Sequence, residues 1–127
     1  MSLSTVACSV LGLAMFAIAG ITQAPPVRKI SVEAERFSFS PSRIKVTAGE
    51  EVEIHLRSAD TSHGFKIEDT DINVEIPKRG KGEVVVRFTP AAPGRLKFEC
   101  TRMCGAGHHF MRGELLVRDP SASQSRK

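Results

Sequence analysis

The sequence contains no tryptophan and no tyrosine, so its seven phenylalanines have to supply the aromatic bulk of any core. It also lacks side-chain charge over residues 1–27, and the stretch from Leu3 to Ile21 is almost entirely apolar or small. The first charges are Arg28 and Lys29. Setting this segment apart leaves about one hundred residues, which is enough for one small domain with a single core.

The uncharged N-terminal segment, residues 1–27, has two interpretations. Thr22 and Ala24 place small residues at the −3 and −1 positions of a cleavage site after Ala24, which is typical of a signal peptide. The same run is just long enough to span a bilayer as a membrane anchor. Both interpretations predict export, to the periplasm or to the outer face of the cytoplasmic membrane, and a buried core helix is the remaining alternative.

After residue 28 no segment shows a convincing helical period. The chain instead alternates apolar and polar residues, and alternation at a period of two predicts half-buried strands. The alternation is clearest over residues 52–56, 84–88 and 96–100. Seven or so short strands separated by turns predict an all-β fold, a β-sandwich over residues 28–119. The polar, serine-rich tail, residues 120–127, is predicted to be disordered.

The candidate metal ligands are concentrated in one stretch, "CTRMCGAGHHFM". Four of them follow one another at spacings of four, four and three: Cys100, Cys104, His108 and Met111. Because one predicted strand ends at the first cysteine and the next begins at Gly113, residues 101–112 are expected to form a loop. A fifth candidate, His63 in "TSHGF", is expected in a distant loop. A metal site at one end of the sandwich would combine the two.

The donor set leaves four alternatives open. A Cys100–Cys104 disulfide suits an exported protein but leaves His63, His108 and Met111 unexplained. Zinc would take the two cysteines and two histidines, but it gains little from thioether sulfur. Copper favours thiolate, imidazole and thioether together. A mononuclear blue-copper site would leave one thiolate idle, whereas two copper ions bridged by both thiolates would use all five residues.

The pattern "SHGF" followed by C-x3-C-x3-H-x2-M resembles the CuA domain of haem-copper oxidase subunit II, most closely the short single-helix form of the B-type oxidases. The similarity extends from about Phe39 to Val117 and includes "SHGFKIEDTDINVEI", "PGRLKFEC" and "CGAGHHFMRGELLV". It implies a cupredoxin-like, Greek-key sandwich that holds two copper ions. By this resemblance the ligands are the bridging Cys100 and Cys104, with His63, His108, Met111 and the main-chain carbonyl of Arg102.

Two features differ from the family pattern. The family often has glutamate where this chain has Arg102, but a main-chain ligand survives that change, and the added positive charge should favour reduced copper. The N-terminal segment is also short for an oxidase subunit. In the family one copper carries a histidine and the carbonyl, and the other carries a histidine and the methionine. The sequence does not settle how His63 and His108 divide between them.

A site whose ligands all come from the protein has no open position for a substrate, so we expect one-electron transfer and no catalysis by this chain alone. The resemblance implies cytochrome c or another redox protein as the donor and subunit I of a haem-copper oxidase as a partner. An uncleaved N-terminal segment would add contact with the membrane, and no nucleic-acid partner is expected. The alternative is a free-standing periplasmic carrier or a copper-delivery protein.

Several neighbours of the cluster also carry expectations. Phe65 and Phe110 are expected to form an apolar shell that excludes water from the metal. Met103 is expected to cover the site. His109 is expected on the exposed rim of the loop, and His55 at a solvent-facing position of a strand.

Overall fold

A computed structural model describes residues 20–24 and 26–123. Within these residues there are nine strands: β1 (Arg28–Glu35), β2 (Ser38–Ser40), β3 (Arg43–Thr47), β4 (Val52–Ser58), β5 (His63–Ile67), β6 (Asn73–Ile76), β7 (Val84–Phe88), β8 (Gly94–Glu99) and β9 (Arg112–Arg118). Two short 3-10 turns, His108–Phe110 and Pro120–Ser123, complete the regular structure. Most of the predicted N-terminal helix or signal segment lies outside the described residues, and the part that is described holds no helix capable of crossing a bilayer.

The strands form two sheets that pack face to face. One sheet has the order β2-β1-β4-β7 and the other has the order β3-β9-β8-β5-β6. The pairs β1–β4 and β3–β9 are parallel, and the remaining pairs are antiparallel. The predicted all-β sandwich is therefore confirmed.

Alternation along the strands builds the core, as the sequence predicts. In β4, Val52, Ile54 and Leu56 are fully buried between the sheets. The aromatic bulk comes from a phenylalanine cluster, in which the ring of Phe98 lies 5.3 Å from that of Phe39 and 5.1 Å from that of Phe65. Such edge and tilted contacts add stability beyond the buried area.

Three strands were not predicted from the sequence. The strand β2 has three residues and β6 has four, which is too short for alternation to stand out. The strand β5 is buried at His63, Gly64, Phe65 and Ile67, because Phe65 and Ile67 face the core and Gly64 lies against the main chain of Thr101 and Arg102. The expectation that His63 lies in a loop is therefore wrong: it is the first residue of β5.

The start of the polar tail adopts a defined turn. The N–H and the hydroxyl of Ser121 both donate to the Oδ1 atom of Asp119, at 2.8 and 2.6 Å. The turn Pro120–Ser123 thus differs from the disorder predicted for residues 120–127, while residues 124–127 lie outside the described part of the chain.

Candidate metal centre

The two cysteines of the loop lie side by side as free thiols. Their Sγ atoms are 3.8 Å apart, nearly twice the length of about 2.05 Å of a disulfide bond. Both are buried, because Cys100 continues the inward row of β8 beyond Phe98 and Cys104 turns back beneath the loop. The disulfide alternative is not the arrangement found here.

One imidazole lies next to each thiol. The Nδ1 atom of His63 is 4.0 Å from the Sγ atom of Cys100, and the Nδ1 atom of His108 is 3.8 Å from the Sγ atom of Cys104. Two donors bound to one ion at about 2.0–2.3 Å stand roughly 3.3–3.8 Å apart in a tetrahedral arrangement. The imidazole and thiol pairs are therefore close to the spacing that a shared metal ion requires.

Two weaker donors complete the group. The Sδ atom of Met111 lies 3.9 Å from the Sγ atom of Cys104, and the thiol of Cys100 donates to the carbonyl oxygen of Arg102 at 3.1 Å. All six sequence-predicted ligand positions are thus brought together. The donor atoms of three of them, His63, Cys100 and Cys104, all lie within 4.8 Å of one another.

The local turn explains why His108 and Met111 point to the same place. Residues His108–Phe110 form a 3-10 turn, and residues three apart lie above one another in this geometry. His108 and Met111 therefore share the inward side, and Met111 is fully buried. Phe110 points the other way and is 83% exposed, so the expectation that it shields the metal is wrong. The other expected shield, Phe65, is fully buried beneath the site.

Other expectations about the neighbours have mixed outcomes. Met103 is 71% exposed, so most of its side chain faces solvent and it does not close over the donors. His109 is exposed on the loop, as expected. His55 lies on the outer side of β4, as expected, but its ring is held between Glu53 and Glu83 at 2.6 and 3.0 Å.

The orientation of His63 depends on Asp60, which the sequence did not single out. The Nε2–H of His63 donates to the Oδ1 atom of Asp60 at 2.7 Å. Burial alone would raise the pKa of Asp60, but hydrogen bonds from His63 and from the main-chain N–H groups of Arg36 and Thr61 outweigh it and hold that pKa at about 2. The ionised carboxylate keeps the proton on Nε2, which leaves the lone pair of Nδ1 directed at Cys100.

The thiols are themselves positioned by the main chain. The N–H of Gly64 donates to the Sγ atom of Cys100 at 3.4 Å, and the N–H of Cys100 donates to the carbonyl of Met111 at 3.0 Å. Burial, reinforced by the neighbouring Cys100, raises the pKa of the Cys104 thiol to about 11. A metal ion that binds here at neutral pH must therefore displace a proton from Cys104.

The turn between β1 and β2 also contacts the ligand loop. The Nε–H of Arg36 donates to the carbonyl of Cys104 at 2.7 Å. The ring of Phe37 packs so closely on the loop that a side chain at Gly105 would lie 2.9 Å from it. Sequence reasoning missed both residues. The turn between β1 and β2 carries no ligand pattern of its own, and its contact with the loop is visible only in the folded chain.

The chain matches a known protein family and two curated relatives. Residues 8–117 match the family described as cupredoxin-like domain. Cytochrome c oxidase subunit 2 of Thermus thermophilus is 38% identical over 91 residues, which cover 71% of this chain and 65% of that protein. A second cytochrome c oxidase subunit 2 from the same species is also 38% identical over 91 residues, which cover 52% of its length. The chain thus spans less than two thirds of the length of these relatives.

Two solved structures share the fold. A haem-copper terminal oxidase dimer aligns with a TM-score of 0.64 and 28% identity, over 72% of this chain and 65% of that one. The Cu(I)-bound metal-binding domain of a Cu(I)-exporting P-type ATPase from Streptococcus pneumoniae aligns with a TM-score of 0.61 and 26% identity, over 76% and 91%. The predicted resemblance to oxidase subunit II is confirmed, and with the sulfur- and imidazole-rich donor set these similarities support copper as the metal.

Proposed function

Because the chain belongs to the cupredoxin-like family, we propose that its cluster of thiols and imidazoles is a binuclear copper (CuA) centre that passes single electrons. The observation that carries the proposal is the symmetric pairing at the centre of the site: two thiols 3.8 Å apart, each with its own imidazole within 4.0 Å. Each of two ions could then share both thiolates and take one imidazole of its own.

The number and type of donors support two copper ions over one zinc ion. Zinc in structural sites takes four ligands, and it gains little from a thioether. Here two thiols, two imidazoles, a buried thioether and a carbonyl converge, which is more than one tetrahedral ion can use. Thiolate, thioether and imidazole together are the donors that suit copper. The ligands proposed are Cys100, Cys104, His63, His108, Met111 and the carbonyl of Arg102.

The surroundings of the donors favour electron transfer over catalysis. Copper bound here would supply a one-electron redox couple. Hydrogen bonds within the protein position two of the donors, through Asp60 at His63 and Gly64 at Cys100. Buried donors exclude water, and fixed donors limit rearrangement between oxidation states. His108, which is only half-buried, connects this enclosed group to the surface near Phe110.

We further infer that the domain accepts electrons from a donor such as cytochrome c and delivers them to a haem-copper terminal oxidase, as its subunit II. Support comes from the 38% identity to the Thermus subunit and the 28% identity to the terminal oxidase structure. A location in the periplasm or on the outer face of the cytoplasmic membrane fits this role, with residues 1–27 as signal peptide or anchor and residues 28–119 as the domain. Copper delivery is the second candidate function. The alignment with the copper-exporter domain covers 91% of that domain, whereas the alignment with the oxidase covers 65% of the oxidase chain.

Metal content and spectroscopy of the copper-loaded full chain test the centre. We expect two copper ions per chain and a purple oxidised form in which one unpaired electron is shared over two copper nuclei. Cys100→Ser and Cys104→Ser should each abolish the shared signal, because each removes a bridge, whereas the exposed His109→Gln should leave it unchanged. One copper per chain with an ordinary blue-copper spectrum would refute the binuclear centre. Co-purification with a haem-containing membrane subunit would separate oxidase subunit from free carrier.

A further inference from the structure

The outer side of the sheet formed by β3, β9 and β8 carries a strong excess of positive charge. Strand alternation points eight charged residues away from the core there, and the register aligns Arg43 with Glu114 and Lys97, and Lys45 with Leu116 and Arg95. We call this surface the basic face: Arg43, Lys45, Arg95, Lys97, Arg112 and Arg118, with Glu99 and Glu114. Six cations against two carboxylates leave +4, which equals the formal net charge of the whole chain.

The outer side of the other sheet is neutral by comparison. It carries three cations and three carboxylates: Lys29, Arg57, Arg87, Glu33, Glu35 and Glu53. These cations lie close to carboxylates, since Arg87 pairs with Glu53 at 2.6 Å and Arg57 approaches Glu33 at 3.7 Å. On the basic face Glu114 is shared by two arginines. Among the described residues, no salt bridge reaches Lys45, Lys97 or Arg118.

We propose that the basic face lies against the anionic headgroups of a phospholipid bilayer. The face presents a row of long, exposed cationic side chains, and Leu116, half-buried, is its one apolar residue. Protein interfaces need a desolvated core of aromatic or apolar residues, which this surface does not offer. Attraction to anionic headgroups needs only cations held within a Debye length of the surface.

The path of the chain into the domain supports the same orientation. The apolar stretch ends at Ile21, and β1 begins seven residues later at Arg28; seven residues span at most about 25 Å. An inserted stretch would therefore keep the domain close to the headgroups. At this end of the sandwich the N–H of Arg28 donates to Glu51, and the carbonyl of Arg118 accepts from Ala48. The chain thus enters at the end of the sandwich where the basic face terminates.

A domain resting on a sheet face would leave its metal end free. The exposed Met103 and Phe110 lie at the tip of the loop, at the end of the sandwich opposite to Arg118. Contact with the bilayer along β3, β9 and β8 would therefore leave the tip of the loop, with Met103 and Phe110, exposed to a redox partner. The inference is independent of the copper function, because no ligand contributes to the basic face.

The test uses the full chain, copper-loaded and reduced, with lipid nanodiscs that contain a gadolinium-chelate lipid. With phosphatidylglycerol discs at low salt we expect paramagnetic broadening of backbone amides to be strongest along β3, β8 and β9. It should fall several-fold at high salt, in phosphatidylcholine discs, and in the triple variant Lys45→Gln, Lys97→Gln, Arg118→Gln. The matched control, Lys78→Gln, Arg79→Gln, Lys81→Gln, removes the same charge from the loop between β6 and β7 and should retain the broadening.

The proposal would be overturned by no association with anionic discs at low salt, by broadening centred on β1, β4 and β7, or by broadening that is equal in the two lipids. Protection of the basic face by an acidic protein partner, without a lipid effect, would also overturn it. Thermal unfolding and copper content of both triple variants, measured alongside, establish that fold and metal centre are intact. A failed lipid result with two coppers bound would then leave the electron-transfer proposal untouched.

Discussion

The guanidinium of Arg36 donates from Nε to the main-chain carbonyl of Cys104 at 2.7 Å, across 68 residues of sequence. The main-chain N–H of the same residue donates to the Oδ2 atom of Asp60 at 3.0 Å, and Asp60 in turn holds His63. One residue of the turn between β1 and β2 therefore contacts one ligand, Cys104 of the loop, directly, and also contacts Asp60, which supports a second ligand, His63 of β5.

Replacing Arg36 with methionine should loosen the metal centre without unfolding the domain. Methionine keeps much of the length of the side chain and the main-chain bond to Asp60, and it removes the hydrogen bond to Cys104 together with the guanidinium charge. Hydrogen bonds to charged groups contribute about 1.5–3 kcal/mol. We expect roughly tenfold weaker copper retention against a competing chelator, equivalent to about 1.4 kcal/mol, and a shifted reduction potential. Arg57→Met, on the outer side of β4, is the matched control and should change neither.

The two kinds of ligand on the loop should respond differently to removal. Met111→Leu nearly conserves volume in a fully buried position, so the cost in folding stability should stay below about 1.5 kcal/mol. Copper should still bind, with an altered potential, because a thioether is a weak donor. His108→Ala should lower copper affinity as well, since imidazole is the stronger donor. Copper titration and voltammetry of both variants check this, and equal loss of copper in the two would mean that Met111 is a principal ligand.

Gly64 should tolerate no side chain. A Cβ atom there would lie 2.7 Å from the main-chain nitrogens of Thr101 and Arg102, and main-chain atoms cannot swing aside. Gly64→Ala should therefore displace the segment that carries Cys100 and Arg102, at about 1–3 kcal/mol of stability, with loss of the binuclear spectrum. Ser62→Ala, two residues away, is the control. A Gly64→Ala protein with an unchanged spectrum would mean that the loop is more compliant than its contacts indicate.

The contacts of His55 predict how stability depends on pH. Hydrogen bonds with Glu83 and then Glu53 raise the pKa of His55 above its ordinary value of 6.5, and the bond with His55 lowers the pKa of Glu53 below 4.5. A raised histidine pKa stabilises the fold below pH 6.5, and this contribution is lost as the pH rises through the folded-state value. The lowered carboxyl pKa stabilises above pH 4.5, and its contribution is lost in acid.

Denaturant unfolding at pH 5.5 and pH 9 provides the measurement. The stability of the wild-type protein relative to His55→Gln should be larger at pH 5.5 than at pH 9. The exposed His109→Gln, which has no carboxylate partner among the described residues, should not show this difference. If the difference in unfolding free energy between the wild type and His55→Gln were the same at both pH values, the predicted pH dependence would be contradicted.

What could be predicted from the sequence was local. Apolar and polar residues alternate along β4, β7 and β8, and this pattern predicts the strands directly. Four of the candidate ligands lie in one short stretch of sequence: Cys100, Cys104, His108 and Met111. Their spacing could have predicted the outward direction of Phe110, because the 3-10 turn that aligns His108 with Met111 turns the residues between them outward. The length of β5 was hidden because Gly64 stands at one of its outward positions, so only Phe65, Lys66 and Ile67 alternate, and three residues are too few to stand out.

The supports of the ligands could not be predicted in the same way. Asp60 lies three residues before His63, a spacing that any turn could have. Arg36 and Phe37 meet the loop only after β1 and β9 have been placed in opposite sheets. Such contacts join residues far apart in sequence, and no local pattern records them.

The cavity beside the donors has a consequence for how the protein is assembled. It measures about 240 Å³ and opens between Glu99, His108, His109 and Arg112, with Cys100 and Met111 at its base. This opening lies at the same end of the molecule as Met103 and Phe110, where a redox partner would dock. A metallochaperone delivering copper through it would compete for the same surface. Under the proposed function, loading of copper would therefore have to precede docking of the redox partner.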